Sequence, residues 1–484
     1  MARHDTIKLL DNQIYKKGLD GEMPVFELRY DHDAKIDLSG HKYWKSLGTW
    51  RAIQGRVSEA SEKSVVVIGD EEGYEHNTRD DFVSVDGWSD EHFTVVTGNL
   101  IGYVKHENTS LTIGSRFGNA FLEYIIRDAD GFSMVHDIGG AGDEYGAYDW
   151  LLAYLWKIKL THAFRIGIPK CYQTKRDRLI GPKGRIDVCD ALTYPGTGRC
   201  ACEYRELSYD SPAAELIAQS WVFMYRNPKL RAMCASVSRI KDAFLQATGG
   251  GHRKIRELLD TKYFTNPYYG VYNDVIDLSK KILRHYGANF GEDTDMDALL
   301  FDVSMLFEYF VRKLLLRHCI SLKGKNAELY RIPTGALQET SKYSRRKIIP
   351  DLVIDVPGGV AIFDVKYKYY DERYGVSRDD VFQVHTYVGQ YANKSSVRAC
   401  GLIYPLKEYR WKSLFAGEGK GRVLIKQEMQ QGGVDIAFYV AFIVVPEEGE
   451  DFTEKFKAHC SEFIRQFSGE LLEDGNTKNK RGNV

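Results

Sequence analysis

The stretch Arg345–Lys368, RRKIIPDLVIDVPGGVAIFDVKYK, constrains this chain more than any other. Leu352–Val356 and Val360–Val365 are apolar, β-branched runs separated by Pro357-Gly358-Gly359, and Pro followed by Gly is strong turn chemistry, so the segment is predicted to form a β-hairpin. With Pro357 and Gly358 as the central turn residues, antiparallel pairing sets Asp351 directly opposite Asp364. Carboxylates across one rung have Cβ atoms roughly 5 Å apart, near enough to share a cation. Lys366 follows Asp364 by two positions and leaves the same strand face. Register is decisive, because a slip of one residue turns one carboxylate away. Both faces of the hairpin are apolar, with Leu352, Ile354, Ala361 and Phe363 on one side and Val353, Val360 and Ile362 on the other. Two acids and a lysine at the end of so buried an element are costly unless a metal joins them.

Pro350-Asp351 and Asp364-Val365-Lys366 resemble the PD-(D/E)xK nuclease signature. The resemblance implies that Asp351 and Asp364 bind Mg²⁺, that Val365 adds its backbone carbonyl, and that Lys366 positions or activates the attacking water. An acid-x-Lys triplet is common in any charged protein, so the surrounding segments carry much of the weight. Upstream, Ala298–His318 has apolar residues at Leu299, Val303, Leu306, Phe310 and Leu314, the spacing of an amphipathic helix. Glu308 lies within it and resembles the acid that first helices of this nuclease class contribute to the metal; the plainer reading is a solvated helical glutamate. Downstream, Asp379–Ala392 is predicted to be a helix with Gln383 and Tyr387 at i and i+4. That pair resembles the QxxxY element of RecB-like members, which implies that both residues brace the site or contact phosphate. An all-oxygen donor set suits Mg²⁺ or Mn²⁺ better than a soft metal.

At 484 residues the chain is too long for one ordinary core. Its 43% hydrophobic and 27% charged content is that of a globular protein, and its net charge of −1 advertises no general affinity for nucleic acid. DNA contact must then come from local patches or from a partner. The sequence has no apolar run of about 18 residues, so no membrane span is expected. Its first residues lack a signal-peptide core, which points to the cytoplasm. The eight cysteines are scattered, with Cys200-x-Cys202 the one close pair and no second pair or histidines to complete a zinc site, so free thiols are expected. No GxxxxGK[ST] phosphate loop occurs, so hydrolysis of nucleotide through that fold is excluded. Gly-rich Ile138–Gly146 is too weak a pattern to replace it.

Along the chain, residues 1–120 alternate short β-like runs with turns and are predicted to be a β-rich module. Asp70-Glu71-Glu72 and Arg79-Asp80-Asp81 within it are expected to be solvated loops. Residues 121–265 turn mainly helical, Thr248–Gly251 has the look of a linker, and Ser236–Arg256 carries a basic stripe of Arg239, Lys241, Arg253, Lys254 and Arg256. Residues 270–470 hold the hairpin motifs, with an acidic capping loop at Glu292–Asp297. Lys323, Lys325, Arg331, Arg345, Arg346 and Lys347 flank the hairpin and are candidates for the DNA backbone, while Tyr367, Tyr369 and Tyr370 are either base-stacking or core residues. Residues 474–484 are polar and expected to be disordered. The fold class expected is thus multidomain α+β, with a β-rich and helical front part followed by an α/β restriction-endonuclease-like domain.

A second resemblance spans Leu100 to Tyr404. Ile113-Gly114-Ser115-Arg116-Phe117, then Gly167–Arg185, then Cys202–Pro212 (CEYRELSYDSP) resemble successive blocks of McrC proteins, the nuclease subunits of McrBC restriction systems. This implies an endonuclease subunit that cleaves double-stranded DNA when assembled with a hexamer of McrB-type AAA+ GTPase. GTP would be bound by that partner, not by this chain, and its hydrolysis would be stimulated by the front part. Arg116 and the basic loop Lys175–Arg185 are candidates for touching the partner, or else ordinary surface charges. A stand-alone RecB-like repair nuclease and a non-enzymatic activator with a vestigial nuclease fold are the alternatives.

Overall fold

The computed structural model describes the chain apart from residues 1–4, 21–22, 30–34, 67–81, 107–108, 131–145, 190–197, 252, 288–297, 319, 321, 323–329, 334–344, 393–394, 417–420, 432 and 473–484. The acidic clusters at 70–72 and 79–81, most of the glycine-rich stretch at 138–146, the acidic loop at 292–297, Lys323, Lys325 and the tail therefore lie outside the described residues. The fold is mixed α/β with several sheets. Two compact units divide the chain, one made of Met1–Ser133 with Asp297–Val484, the other of Met134–Met296.

The first unit is built around a five-stranded sheet ordered Leu352–Val356, Gly359–Val365, Val397–Lys407, Val434–Val445, Leu424–Gln431. Its three inner strands run parallel, and the two edges are antiparallel. The first two strands are the predicted hairpin. Leu352 faces Phe363 and Val356 faces Gly359, the register that the Pro357-Gly358 turn implies. Gly358 has φ +76°, a left-handed conformation that glycine adopts without a Cβ clash. Inner strands buried on both faces read as continuous apolar runs, and Ile436–Val445 does so because helices cover both sides.

On one face sits the helix Arg378–Ala392, whose Val384, Tyr387, Val388 and Tyr391 pack with Val353, Ile362, Cys400 and Leu402. On the other lies the helix Phe452–Leu472, with Phe467 4.9 Å from Phe363 between ring centres. An aromatic cluster draws in two more helices, Asn119–Asp130 and Val303–Arg317. Phe456 lies 5.7 Å from Phe121, 4.7 Å from Tyr124 and 6.0 Å from Phe310.

Ala298–His318 is not one helix. Ala298–Asp302 is a strand paired antiparallel with Leu100–His106, and the helix begins at Val303. Asp302 is the reason: its Oδ1 accepts from the N–H groups of Ser304 and Met305 at 2.9 and 3.3 Å, the bonds of an N-cap. The residues before the cap happen to share the helical apolar period. This strand joins a five-stranded sheet with Asp5–Leu10, Thr109–Gly114 and Val65–Val66, tying the two ends of the chain into one unit. Ile14–Asp20, Met23–Leu28, Lys35–Asp37, Val83–Ser89 and His92–Thr97 form a second, antiparallel sheet nearby in sequence. Leu47–Ser64 is an α-helix that the reading of residues 1–120 as a β-rich module did not place.

In the second unit, helices Gly146–Ala163, Pro212–Arg226 and Asn273–Gly287 share a core, where Trp156 Nε1 donates to Ser279 Oγ at 2.8 Å. The expected basic loop after Lys175 is instead half of a β-ribbon, Cys171–Leu179 against Cys200–Ser208. Cross-strand pairing neutralises its charges, with Lys175 2.6 Å from Glu206 and Arg176 2.7 Å from Glu203. Nor is Thr248–Gly251 a free linker. Gly251 abuts Glu215, and the next described residue, Arg253, binds Glu215 at 2.6 Å and Asp210 at 2.7 Å, which removes it from the basic stripe. Cys200 and Cys202 are thiols with sulfurs 3.5 Å apart.

Gly401 marks the tightest strand approach. A Cβ there would lie 2.0 Å from the Tyr439 carbonyl oxygen, whereas one on Gly469, in the last helix, would meet nothing within 4 Å. Gly401→Ala should therefore destabilise by about 1–3 kcal/mol or more, and Gly469→Ala should stabilise by about 0.5–1 kcal/mol. Denaturant unfolding of the two variants measures both signs.

Candidate active site

The site lies where the hairpin strands end. Continuing the observed register by one rung sets Asp351 opposite Asp364, on the face that carries Val353 and Ile362. Asp351 Oδ2 accepts from the Val365 N–H at 2.7 Å, which fixes its carboxyl across the rung. Asp364 is 1% exposed, and its Oδ2 contacts Lys366 Nζ. The ammonium meets that buried oxygen as its ion-pair partner. Lys366 is held from its other side, donating to Gln383 Oε1 at 2.8 Å, while Gln383 Nε2 donates to Tyr387 Oη at 2.6 Å. Five of the sequence-predicted residues, Asp351, Asp364, Lys366, Gln383 and Tyr387, thus form one connected group.

Glu308 stands one helix away and adds its charge to the field on Asp351. Four residues on, Arg312 Nη1 donates to the Asp351 carbonyl at 3.2 Å, so this helix is pinned to the start of the hairpin. Among the described residues no three His, Cys, Asp or Glu side chains converge as a metal cluster. The carboxylate donors present are the Asp351–Asp364 pair.

Asp351 keeps partial solvent access, but the dense packing around its carboxyl makes burial the first cause that pushes its pKa well above the ordinary carboxylate value. Asp364 and Glu308 push in the same direction, and Lys366 and the Val365 N–H offset part of it. For Lys366, burial alone would depress the ammonium, yet Asp364 and Asp351 overcome it and hold its pKa above that of an ordinary lysine. Burial and the same two acids raise Tyr387, which stays a neutral phenol. The arrangement therefore places a cationic lysine, a neutral phenol and two crowded carboxylates within reach of one point. The all-oxygen donor pair and the raised Asp351 both fit a divalent, oxygen-seeking cation.

Sequence reasoning missed Asp380 and Lys368. Lys368 Nζ lies 2.6 Å from the buried Asp380, which also accepts from Tyr404 Oη at 3.1 Å, bracing the helix of Gln383 against the sheet. Asp380 precedes Gln383 by three, the same helical face, and that spacing was the available signal. Arg116 is buried, not a surface contact, and Tyr367 and Tyr370 are core residues at 3% and 8% exposure, not stacking platforms.

The fold and the site together define a mixed α/β protein with an acid–acid–lysine group at the end of a buried hairpin. Residues 95–405 match the family described as McrBC 5-methylcytosine restriction system component. The chain belongs to that family, which bears out the family resemblance in its sequence. Among solved structures, it is similar to a refined half-complex from a tetradecameric assembly of Thermococcus gammatolerans McrB AAA+ hexamers with bound McrC. The TM-score is 0.48 at 16% identity, over 96% of this chain and 100% of that one. It is also similar to the cryo-EM structure of the Thermococcus gammatolerans McrBC complex, with TM-score 0.32 at 15% identity over 66% and 89% of the two chains. No curated protein matches the chain. No helix among the described residues is long and apolar enough to cross a membrane.

The crowding of Asp351 has a measurable sign. An acid whose pKa is raised on folding holds its proton longer in the folded state, so its ionisation lowers stability as pH climbs from the ordinary carboxylate value toward the raised one. In chelator, Asp351→Asn should melt with wild type near pH 4 and above it near pH 7. Adding Mg²⁺ near pH 7 should raise the Tm of wild type and not of the variant. Thermal unfolding at both pH values, with and without the metal, reads the difference.

Proposed function

We propose that this chain is the McrC-type endonuclease subunit of a McrBC-like restriction complex, hydrolysing phosphodiester bonds of double-stranded DNA with Mg²⁺. Mn²⁺ would fit the same oxygen donors. The observation that carries the reading is the crowded pair of carboxylates Asp351 and Asp364, with Lys366 against Asp364. Family membership supports assembly with a McrB-type AAA+ GTPase hexamer that binds GTP itself, and a cytoplasmic site of action.

Asp351, Asp364 and the Val365 carbonyl would hold the metal in a restriction-endonuclease-like PD-(D/E)xK arrangement, with Glu308 acting directly or through water. When bound, such a metal lowers the pKa of its water and neutralises charge on the scissile phosphate. The chain's own residues do the rest. Lys366, held protonated by the two acids, orients the attacking water and offsets negative charge as it develops on the phosphate. A group with a raised pKa is a poor base, so the lysine serves as an electrostatic anchor. Gln383 accepts from Lys366 and donates to Tyr387, which restricts where the ammonium can swing. Residues 1–120 and 121–265 are proposed as the partner-binding part, and residues 270–470 as the nuclease domain.

The test is cleavage of plasmid DNA, with and without 5-methylcytosine, by wild type and Asp364→Ala in Mg²⁺ and GTP, with and without the AAA+ partner. Asp364→Ala should lose several kcal/mol of charge stabilisation, on the order of 10³-fold in rate, while still stimulating GTP hydrolysis. Cutting by wild type without the partner would favour a stand-alone RecB-like nuclease. A variant that cuts as fast as wild type would overturn the catalytic assignment.

A further inference from the structure

Behind the catalytic lysine lies a polar cluster that the chemistry above does not use. Past the strand end at Val365, Lys366 turns to the acids while Tyr367 and Tyr369 pack elsewhere. They meet Arg116, whose side chain is 1% exposed, and Asp11, which is 0% exposed. Asp11 Oδ1 accepts from the Arg116 main-chain N–H at 2.6 Å, and its Oδ2 accepts from Arg116 Nη1 at 3.2 Å. The guanidinium carbon sits 4.4 Å from the centre of the Tyr367 ring and 4.7 Å from those of Phe117 and Tyr369. Ser115 Oγ lies 3.1 Å from Tyr367 Oη, and Gln13 Nε2 donates to Tyr369 Oη at 2.6 Å.

Stability does not account for this cluster. Stripping water from two charges costs several kcal/mol per ion, and the attraction offsets that only when the remaining donors and acceptors are satisfied. Here Arg116 Nε and Nη2 and Gln13 Oε1 have no hydrogen-bond partner among the described residues. Apolar side chains of the same volume would hold the region together as well or better. What the ion pair adds is geometry. A planar guanidinium pressed on three rings fixes their positions in a way that a flexible ammonium cannot. Its carboxylate partner comes from the turn between the strands Asp5–Leu10 and Ile14–Asp20, so the N-terminal sheets reach the catalytic strand through this contact. On the sheet side, Lys366 N–H donates to the Ile403 carbonyl at 2.8 Å, so the strand end is held at Lys366 from within the sheet and at Tyr367 and Tyr369 from behind.

We propose that Arg116, oriented by Asp11, is a positioning residue for the nuclease site: by clamping Tyr367 and Tyr369 it sets where Lys366 Nζ meets Asp364. The inference rests on the nuclease reading of Asp351, Asp364 and Lys366. It also gives the Ser115-Arg116-Phe117 block a role inside the subunit rather than on its surface.

The decisive variant is the double replacement Asp11→Leu with Arg116→Met, studied in the full complex with the AAA+ partner, GTP, Mg²⁺ and plasmid DNA. Removing both charges together should leave the Tm of the folded chain at or above wild type. Misplacing a catalytic group by about 1 Å can cost on the order of 100-fold in rate, so kcat for cleavage should fall about 10- to 100-fold with KM for DNA unchanged. Stimulated GTP hydrolysis should persist and reports that the complex assembles. Tyr367→Phe, which keeps the ring and loses the contact to Ser115, should lower kcat in the same direction by a smaller factor. A folded double variant that cuts at the wild-type kcat, or one whose loss merely tracks its unfolded fraction, overturns the proposal. Should the double variant fail to fold, Arg116→Lys, which keeps the charge and loses the planar stack on the rings, overturns it alone if it cuts with wild-type kcat. Asp364→Ala run alongside separates the two levels: if that variant also cuts normally, the nuclease reading is what has failed.

Discussion

Two carboxylates held across one rung of a buried hairpin repel each other, and the C-terminal half of the first unit is arranged around that repulsion. Asp351 and Asp364 cannot move apart, because the hairpin register and the bond from Val365 N–H fix them. Lys366 answers part of the charge and Glu308 adds to it, leaving Asp351 with a raised pKa. A fold tolerates such a group only if the rest of the element is strongly held. Here the hairpin is sandwiched, with aliphatic and tyrosine side chains of the Arg378–Ala392 helix on one face and phenylalanines of the Phe452–Leu472 helix on the other. Stability is drawn from the packing and released at the site, the usual trade at a functional site.

The supporting polar contacts fall into two sets that flank the strand end. On the face of the acids, Gln383, Tyr387, Asp380 and Tyr404 form linked bonds that steady Lys366 and Lys368. Behind it, Arg116 and Asp11 grip the alternate residues Tyr367 and Tyr369. Both sets are anchored in elements far apart in sequence. The geometry of three adjacent positions, 366 to 368, therefore depends on the N-terminal turn, the post-hairpin helix and the central strand at once. Such a dependence gives a physical route from the N-terminal sheets to the acid–acid–lysine group.

Where the sequence was legible, local rules sufficed. The Pro-Gly turn specified the hairpin and its register, since the left-handed residue had to be Gly358 and pairing follows from the turn. Period and length marked the helix carrying Gln383 and Tyr387 and the buried strands after it. Where it misled, a long-range partner or a cap overrode the pattern. Ala298–Asp302 shares the apolar spacing of the helix that follows, but a strand edge at Leu100–His106 was waiting for it and Asp302 capped the helix at Val303. Lys175 and Arg176 looked like a basic loop until carboxylates from a strand some thirty residues on paired with them. Three successive glycines looked like a linker, yet Glu215 closes the turn through Arg253.

The sequence by itself determined which residues could do chemistry and which rung they share, because turn type, strand alternation and helix period are properties of a few neighbouring residues. It also carried the order of segments by which the chain is placed in its family. Tertiary structure alone decided the electrical state of those residues. How far Asp351 is driven toward its protonated form, whether Lys366 remains charged, and whether Arg116 meets solvent at all depend on what is buried against them. Burial is set by segments hundreds of positions away, and desolvation and Coulomb energies have no signature in local pattern.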